Sequence, residues 1–312
     1  MRGRRFRQWM AYFAVRTIVC FVQTMRLETC ARWSAFLAWI AYDVVRLRRA
    51  VIDENLRLAF PHEDESARQD IARRMWTHLF LMACEVCLAP RKIHDTNWRD
   101  HVTLHRSREM VGVLLSRRPT VLVSGHFGNF EMAGFVAGLL GVPTYAIARP
   151  LDNPLVHDYL TRFRSSTGQH LLNKEGSAAQ IQTLLERGGA LALLADQHAG
   201  PKGCWVDFFG RPASCHKALA LFTLTNDAPM LVCFARRSGG PLQFEVGLAE
   251  QFDPAEAPEH ELSVAPLTQW YSRVLEREVR CAPEQYWWVH RRWRDPRPPR
   301  RKEKRQNPPA AA

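Results

Sequence analysis

The stretch that decides the fold runs from Thr120 to Glu131 and reads Thr-Val-Leu-Val-Ser-Gly-His-Phe-Gly-Asn-Phe-Glu. Its apolar beginning predicts a buried β-strand, and the residues from Met132 onward predict the start of a helix. Gly125 and Gly128 flank the histidine and allow backbone conformations and close approaches that a Cβ atom would block. Since ligands bind open α/β sheets at the carboxyl ends of strands, this stretch predicts a functional loop at such an end.

The loop contains His126 and, five positions later, Glu131. An imidazole can take a proton from a hydroxyl group, and a carboxylate on its other ring nitrogen fixes the tautomer and stabilises the imidazolium that forms. We therefore predict that His126 is a general base and that Glu131 bonds to its ring. The alternative is a pair without catalytic meaning, since a histidine and a glutamate at this spacing are common.

The fuller string, residues 124–133, closely resembles the HxxxxE form of the HxxxxD/E box of glycerolipid and lipid A acyltransferases, in the version of the late lipid A enzymes. Further boxes that are similar to this family follow in the family's order between about Val51 and Trp293: Glu54–Pro61, Arg149–Pro154, Leu194–Gln197, Phe208–Pro212 and Glu284–Trp293. Several boxes in order are more specific than one box alone.

The resemblance implies a membrane-associated O-acyltransferase. Such an enzyme moves a fatty acyl group from an acyl thioester, either acyl carrier protein or acyl-coenzyme A and preferably the former, to a lipid A precursor. The acceptor is implied to be the 3-hydroxyl of an acyl chain already on the disaccharide, at the cytoplasmic face of a Gram-negative inner membrane. No metal or organic cofactor is implied, because the thioester is already activated. Direct transfer is favoured over an acyl-enzyme on Ser124, which belongs to no Gly-x-Ser-x-Gly elbow.

Two other functions stay open. One is an acyltransferase for another glycolipid, such as a phosphatidylinositol mannoside, with acyl-coenzyme A as donor. The other is a non-catalytic protein that binds a membrane surface and keeps the fold. This second function would not require His126, Glu131, Arg149 and Asp196 all to be present, as they are in this chain.

Arg149 and Asn153 are the first two candidate substrate-binding residues. Arg149 follows a predicted strand, and its forked guanidinium suits a phosphate or a developing oxyanion. The alternative for Arg149 is a surface arginine before a proline. Asn153 suits either a ligand contact or the N-cap of the next predicted helix.

Four further candidates lie in the downstream boxes. Asp196 and Gln197 end an apolar strand, where many glycerolipid acyltransferases carry a Pro-Glu-Gly phosphate box. We predict that Asp196 positions hydrogen bonds in the site; the alternative is a residue that only caps the turn. Phe209 and Arg211 belong to the Phe-Phe-Gly-Arg-Pro box, whose aromatic residues suit either an acyl-chain slot or plain core.

The net charge of +12 is concentrated at the two ends of the chain. Residues 1–57 contain eleven arginines and four acidic residues, and residues 290–312 contain nine basic and two acidic residues, which leaves the middle near neutral. No zinc-finger, RNA-recognition or helix-turn-helix signature accompanies this charge, so nucleic acid is not the expected partner. An anionic membrane surface is, because the N-terminal arginines alternate with aromatic residues.

The first 50 residues are predicted to be membrane-associated helices. Their two apolar runs, around residues 9–22 and 33–42, are shorter than the about 18 to 20 residues of an unambiguous membrane span. Interfacial helices, one imperfect span, and soluble helices packed on the core all stay open. Arg16 interrupts the first run, which argues against a signal peptide. A second aromatic and basic block, residues 286–293, suits either a membrane boundary or a strand that closes the sheet.

The rest of the chain alternates between strand and helix patterns, which predicts an α/β fold with a mixed, mainly parallel sheet flanked by helices. Strands are predicted at residues 120–124, 143–148, 169–172, 189–195, 229–236 and 242–248, and helices at residues 66–88, 106–117, 131–140, 153–167, 176–187, 215–226 and 261–280. Residues 51–294 are the predicted acyltransferase domain, and the proline-rich basic tail, residues 295–312, is predicted to be disordered.

The eight cysteines show neither a disulfide framework nor metal-ligand spacing. Cys84 and Cys87 are separated by two residues within a predicted helix, but no second ligand pair accompanies them. We predict reduced, mostly packed thiols and no metal site.

Overall fold

The computed structural model of the chain describes residues 2–148, 151–173 and 176–294. The predicted disordered tail, residues 295–312, lies outside the described residues. The helices are α1 (Arg2–Thr24), α2 (Leu27–Trp39), α3 (Arg49–Ala59), α4 (Glu65–Lys92), α5 (Ser107–Leu115), α6 (Phe130–Leu139), α7 (Pro154–Ser165), α8 (Ala178–Glu186), α9 (Ala218–Thr225) and α10 (Val264–Cys281). Short π or 3₁₀ turns occupy Ile40–Val44, Trp98–Asp100, Glu259–Glu261 and Pro283–Gln285.

Seven strands form one sheet in the order β1-β9-β8-β2-β5-β3-β4, and two more form a separate antiparallel hairpin, β6–β7. The strands are β1 (Val102–His105), β2 (Thr120–Ser124), β3 (Thr144–Ala148), β4 (Gln169–Asn173), β5 (Ala190–Leu194), β6 (Cys204–Phe208), β7 (Arg211–Cys215), β8 (Met230–Arg237) and β9 (Phe244–Phe252). Within the large sheet β8 and β9 pair antiparallel, and the other neighbours pair parallel. The predicted mixed, mainly parallel sheet flanked by helices is therefore confirmed.

Some elements were not predicted. Strand β1 is a four-residue strand at the edge of the sheet with one buried residue, too short to leave a clear period in the sequence. In the β6–β7 hairpin, Phe209 and Gly210 both have a positive φ, the geometry of a two-residue type I′ turn, but phenylalanine is an unusual residue there. Helix α3 extends beyond the first 50 residues, the region that was predicted to be helical. Asp64 caps α4 by accepting a hydrogen bond from the Ala67 amide.

The N-terminal helices pack on the rest of the fold and also expose apolar side chains. Helix α2 packs along α4, and Cys30 is fully buried in a cluster that includes residues of α4 and the sheet. Large apolar side chains of α1 and α2 are nevertheless exposed: Phe6, Trp9, Met10, Phe13, Ile18, Phe21, Trp33, Phe36, Leu37 and Trp39. Among the described residues no helix has the length and apolar character needed to span a bilayer. The eight cysteines, all within the described ranges, are free thiols: three are buried, three are intermediate, and Cys20 and Cys281 are exposed.

The turn between β2 and α6, residues 125–129, is called the histidine loop below. Gly128 in this loop has φ +60°, and a Cβ atom there would lie 2.1 Å from the carbonyl oxygen of Ala235 in β8. The loop backbone therefore packs directly on a neighbouring strand, and only glycine fits at this position.

Replacing Gly128 with alanine is expected to lower the free energy of unfolding by about 2 to 4 kcal/mol, since a left-handed conformation and a backbone clash are combined. Gly141→Ala is the matched control, because Gly141 has φ +79° but no atom within 4 Å of the added Cβ. We expect the control to cost about 1 kcal/mol. Urea denaturation of both variants measures the difference, and equal losses would show that the close contact with Ala235 is unimportant.

Candidate active site

The sheet brings His126 and Asp196 together. Strands β2 and β5 are parallel neighbours, and their register pairs Ser124 with Leu194. The residues two positions beyond this pair are His126 and Asp196, so both leave the carboxyl end of the sheet side by side. Both are buried, with 8% and 5% of their surface exposed.

The Asp196 carboxylate holds both the ring and the backbone of His126. Oδ1 lies 2.8 Å from Nδ1 of the imidazole, and Oδ2 accepts a hydrogen bond of 2.9 Å from the His126 amide. A carboxylate can only accept in this contact, so the imidazole proton is assigned to Nδ1. Nε2 then carries the lone pair, and the amide nitrogen of the exposed Gln197 side chain lies 3.3 Å from it. This arrangement suits a base that accepts a proton at Nε2.

The electrostatics of the pair favour charge on both partners. Burial lowers the pKa of His126, but the charge of Asp196 and the hydrogen bond to it raise it by more, so the pKa lies above its usual value. Burial would raise the pKa of Asp196, yet His126 holds it down at about 2. Asp196 is therefore ionised throughout the physiological range and stabilises the imidazolium form of His126.

Glu131 does not make the predicted contact with the imidazole. It lies in the first turn of α6, where its carboxylate pairs with Arg164 of α7: Oε2 accepts from Nε at 2.9 Å, and Oε1 accepts from Nη2. The prediction that Glu131 bonds to the ring is wrong in this respect, because the ring faces the end of β5, where Asp196 takes the nitrogen. The negative charge of Glu131 still contributes to the raised pKa of His126.

Phe130 and residues of the aromatic and basic block surround the imidazole. The ring centroids of Phe130, Trp287 and His290 lie 5.2, 5.0 and 5.2 Å from that of His126. The Trp287 amide donates to the His126 carbonyl at 3.0 Å. Instead of the strand that was one alternative for this block, the structure has an isolated bridge between Phe127 and Tyr286.

Three residues of this block were missed as site residues. Tyr286 is buried, and burial together with the neighbouring charge of Asp196 raises the pKa of its hydroxyl well above the usual value. Trp287 Nε1 and His290 Nε2 are buried and have no hydrogen-bond partner among the described residues. The sequence singled out the block by composition and family likeness, but no spacing linked it to His126.

The other predicted site residues lie in different settings. Asn153 caps α7 by accepting from the Leu155 amide at 3.1 Å, and it donates to the Gln8 carbonyl at 2.9 Å, so the capping alternative is observed. Phe209 is buried among aromatic rings of the core, and Arg211 is exposed on β7. Arg149 lies outside the described residues. In the described ranges no group of three or more His, Cys, Asp or Glu side chains could hold a metal ion.

Comparison with known proteins gives consistent matches along the chain. The family model described as bacterial lipid A biosynthesis acyltransferase matches residues 2–295. The lipid A biosynthesis palmitoleoyltransferase of Escherichia coli (strain K12) is 24% identical over 298 residues, and the lauroyltransferase of the same strain is 22% identical over 294 residues. Each alignment covers 92% of this chain and 92% of the relative.

Among solved structures, the 1-acyl-sn-glycerophosphate acyltransferase PlsC of Thermotoga maritima aligns with 83% of this chain and 96% of its own. The TM-score is 0.38 and the sequence identity 13%, a likeness too weak to support an argument about this protein.

Proposed function

This chain belongs to the bacterial lipid A biosynthesis acyltransferase family, and from that premise we propose that it transfers a fatty acyl group from an acyl thioester to a hydroxyl of a lipid A precursor. The observation that carries the chemistry is the imidazole of His126, bound to Asp196 through Nδ1 at 2.8 Å with Nε2 left to accept a proton. Acyl transfer to lipid A is also what the relatives support, in preference to transfer to a phosphatidylinositol mannoside or a non-catalytic role.

In the proposed reaction Nε2 of His126 removes the proton from the acceptor hydroxyl as its oxygen attacks the thioester carbonyl. A C–O bond forms, and the tetrahedral intermediate then breaks its C–S bond. The departing thiolate takes the proton back from the imidazolium, so the proton balance closes without a cofactor. Asp196 stabilises the imidazolium between the two steps.

Direct transfer is proposed instead of an acyl-enzyme. The hydroxyl of Ser124, two residues before His126, donates to the carbonyl of Gly125 at 3.4 Å. No hydrogen bond joins it to the imidazole among the contacts of the described residues. A serine nucleophile needs such a base within hydrogen-bond reach.

The remaining predicted site residues have proposed roles around this reaction. Glu131 acts on His126 through its charge and fixes α6 to α7 through Arg164. Gln197 contacts Nε2 and gives way to, or orients, the acceptor hydroxyl. Arg149 remains the proposed partner of a phosphate or an oxyanion, and Asn153 and Arg211 remain proposed substrate contacts.

The proposed location is the cytoplasmic face of the inner membrane, with acyl carrier protein as the donor. The exposed aromatic residues of α1 and α2 and the arginines at positions 4, 5 and 7 support binding to an anionic lipid surface.

Binding to phosphatidylglycerol vesicles is expected to weaken about fivefold for each of Arg4, Arg5 and Arg7 replaced by glutamine, since a basic group near such a surface contributes about 1 kcal/mol. Replacing Trp9 and Phe13 together with serine should weaken binding to phosphatidylcholine vesicles as well. The control is Leu115→Ser on α5, which is 75% exposed but lies outside this surface. Vesicle sedimentation measures all variants, and an equal loss for Leu115→Ser would contradict the assignment of the lipid-facing surface.

The function is tested with purified protein, defined acyl thioesters on acyl carrier protein or coenzyme A, and a panel of glycolipid acceptors analysed by mass spectrometry. We expect a mass increase of one acyl chain on the lipid A precursor. Transfer to a phosphatidylinositol mannoside and not to the lipid A precursor would overturn the proposal, as would the absence of transfer to every acceptor.

A further inference from the structure

A buried polar network lies under the histidine loop, on the side of α4. His78 and Glu85 of α4 have 3% and 0% of their surface exposed. They are seven residues apart, which is two turns of helix, so both project from the same face. Arg237, the last residue of β8, lies between them with its side chain 10% exposed. None of these residues takes part in the reaction described above.

Glu85 joins the loop to two neighbouring segments. Its Oε2 accepts from Nδ2 of Asn129 at 3.0 Å and from Nη2 of Arg237 at 2.5 Å. Its Oε1 accepts from Nε of Arg237 at 2.8 Å and from the Leu242 amide at 3.1 Å. Both oxygens are therefore saturated, and the carboxylate fixes the side chain of a loop residue.

His78 holds the loop backbone next to that contact. Nη1 of Arg237 donates to Nδ1 of His78 at 2.7 Å, which leaves the imidazole proton on Nε2. Nε2 lies 3.1 Å from the carbonyl oxygen of Gly128 and donates to it. Burial and the neighbouring charge of Arg237 lower the pKa of His78 to about 3, so the ring is neutral and keeps this single tautomer at physiological pH.

Asn129 connects the network to the residues around the base. While its Nδ2 is bound by Glu85, its Oδ1 caps α6 by accepting from the Met132 amide at 3.2 Å. Helix α6 begins with Phe130, whose ring lies against His126, and continues with Glu131, whose charge acts on it. The Gly128 amide donates to Gln285, next to the block that covers His126. A shift of Glu85 or His78 would therefore displace the residues that surround the His126 imidazole.

The buried ion pair between Glu85 and Arg237 does not by itself indicate a stabilising role. A buried ion pair pays a desolvation penalty and can often be replaced by apolar side chains without loss of stability, so its presence is weak evidence for a stabilising role. Here its hydrogen bonds end on Gly128 and Asn129, the two residues that close the histidine loop. We infer that Glu85, His78 and Arg237 are positioning residues that hold the histidine loop in the geometry needed for acyl transfer, an inference that rests on the proposed function.

The first test is Glu85→Gln, which keeps the shape of the side chain but cannot satisfy all four donors at once. We expect kcat for acyl transfer to fall about tenfold to a hundredfold, because a displacement of about 1 Å costs this much, while KM for both substrates changes less than twofold. The matched control is Asp253→Asn, which breaks the two-bond pair with Arg118 at the opposite end of β2. Assays run well below the melting temperature of each variant, with circular dichroism confirming the folded state.

The second test separates positioning from stability. In the His78→Gln variant the side-chain amide can still donate to the Gly128 carbonyl, whereas the leucine of His78→Leu cannot. We therefore expect kcat to be at least fivefold higher in His78→Gln than in His78→Leu. Hydrogen–deuterium exchange of the peptide spanning residues 120–135 should be faster in Glu85→Gln than in Asp253→Asn.

The inference is overturned if Glu85→Gln and Asp253→Asn match in kcat and in exchange of this peptide, or if the two His78 variants are equally active. A wild-type protein that transfers no acyl group would instead overturn the proposed function, and the exchange experiment would still decide whether the network orders the loop.

Discussion

Replacing His126 with alanine is expected to lower kcat for acyl transfer about 10²- to 10⁴-fold, the range that general-base catalysis contributes. The loss follows from removing the proton acceptor at Nε2, since the acceptor hydroxyl would then have to attack without a base. The substitution also leaves a buried carboxylate, Asp196, without its ring partner, so the fold must be checked separately. Steady-state assays with a defined acyl thioester measure the effect.

The control for this prediction is His62→Ala, because His62 is exposed in the loop before α4. It should transfer acyl groups at the wild-type rate. A folded His126→Ala protein, judged by circular dichroism and thermal denaturation, that retains more than about a tenth of wild-type kcat would show that His126 is not the base.

Asp196→Asn should be the second most damaging single change, with a loss of about 10²- to 10³-fold in kcat/KM. An asparagine side chain can donate to Nδ1 of His126, which would move the ring proton to Nε2 and block the base. It also removes the charge that stabilises the imidazolium in the reaction.

The pH profile distinguishes Asp196 from a merely structural residue. A general base must be unprotonated, so wild-type kcat/KM should rise with pH. The midpoint of this rise, called the limb here, should lie above the usual pKa of histidine, because Asp196 raises the pKa of His126. The Asp196→Asn variant lacks the negative charge that raises the pKa of His126, whereas the burial that lowers this pKa remains. The limb should therefore move to lower pH. Asp158→Asn, an exposed change on α7, should leave the limb in place. An unshifted limb in Asp196→Asn would contradict the proposed pairing.

Strand and helix patterns were predicted well where the chain is strongly periodic. The strand at residues 120–124 was predicted with the same bounds as β2, and the strand at 189–195 differs from β5 by one residue at each end. The strands that were missed are short: β1 has four residues and lies at the edge of the sheet, and the β6–β7 hairpin turns at Phe209 and Gly210. Such elements owe their conformation to the partners that they meet in the fold, and their own residues leave little local signal.

The carboxylate that bonds to the His126 ring is another feature that local sequence patterns did not identify. Sequence reasoning chose Glu131, which is five residues away, and the structure bonds the ring to Asp196, which is 70 residues away. Asp196 was singled out only as a candidate positioning residue, without its partner. Nothing local to residues 190–197 reveals that β5 is the neighbour of β2, because the order of strands is set by the crossover helices and not by the strand sequence.

The sequence by itself determined the family, the alternation of strand and helix, and the loop that carries the histidine, because apolar periodicity and glycine placement act over a few neighbouring residues. Only the tertiary structure decided which carboxylate orients the imidazole and that Trp287 and His290 lie beside it. It also decided that Glu85 and His78 of α4 form hydrogen bonds with the histidine loop. These contacts depend on strand order, register and the facing of helices on the sheet. Each of them joins segments that are distant in the chain, and packing of the whole core brings those segments together.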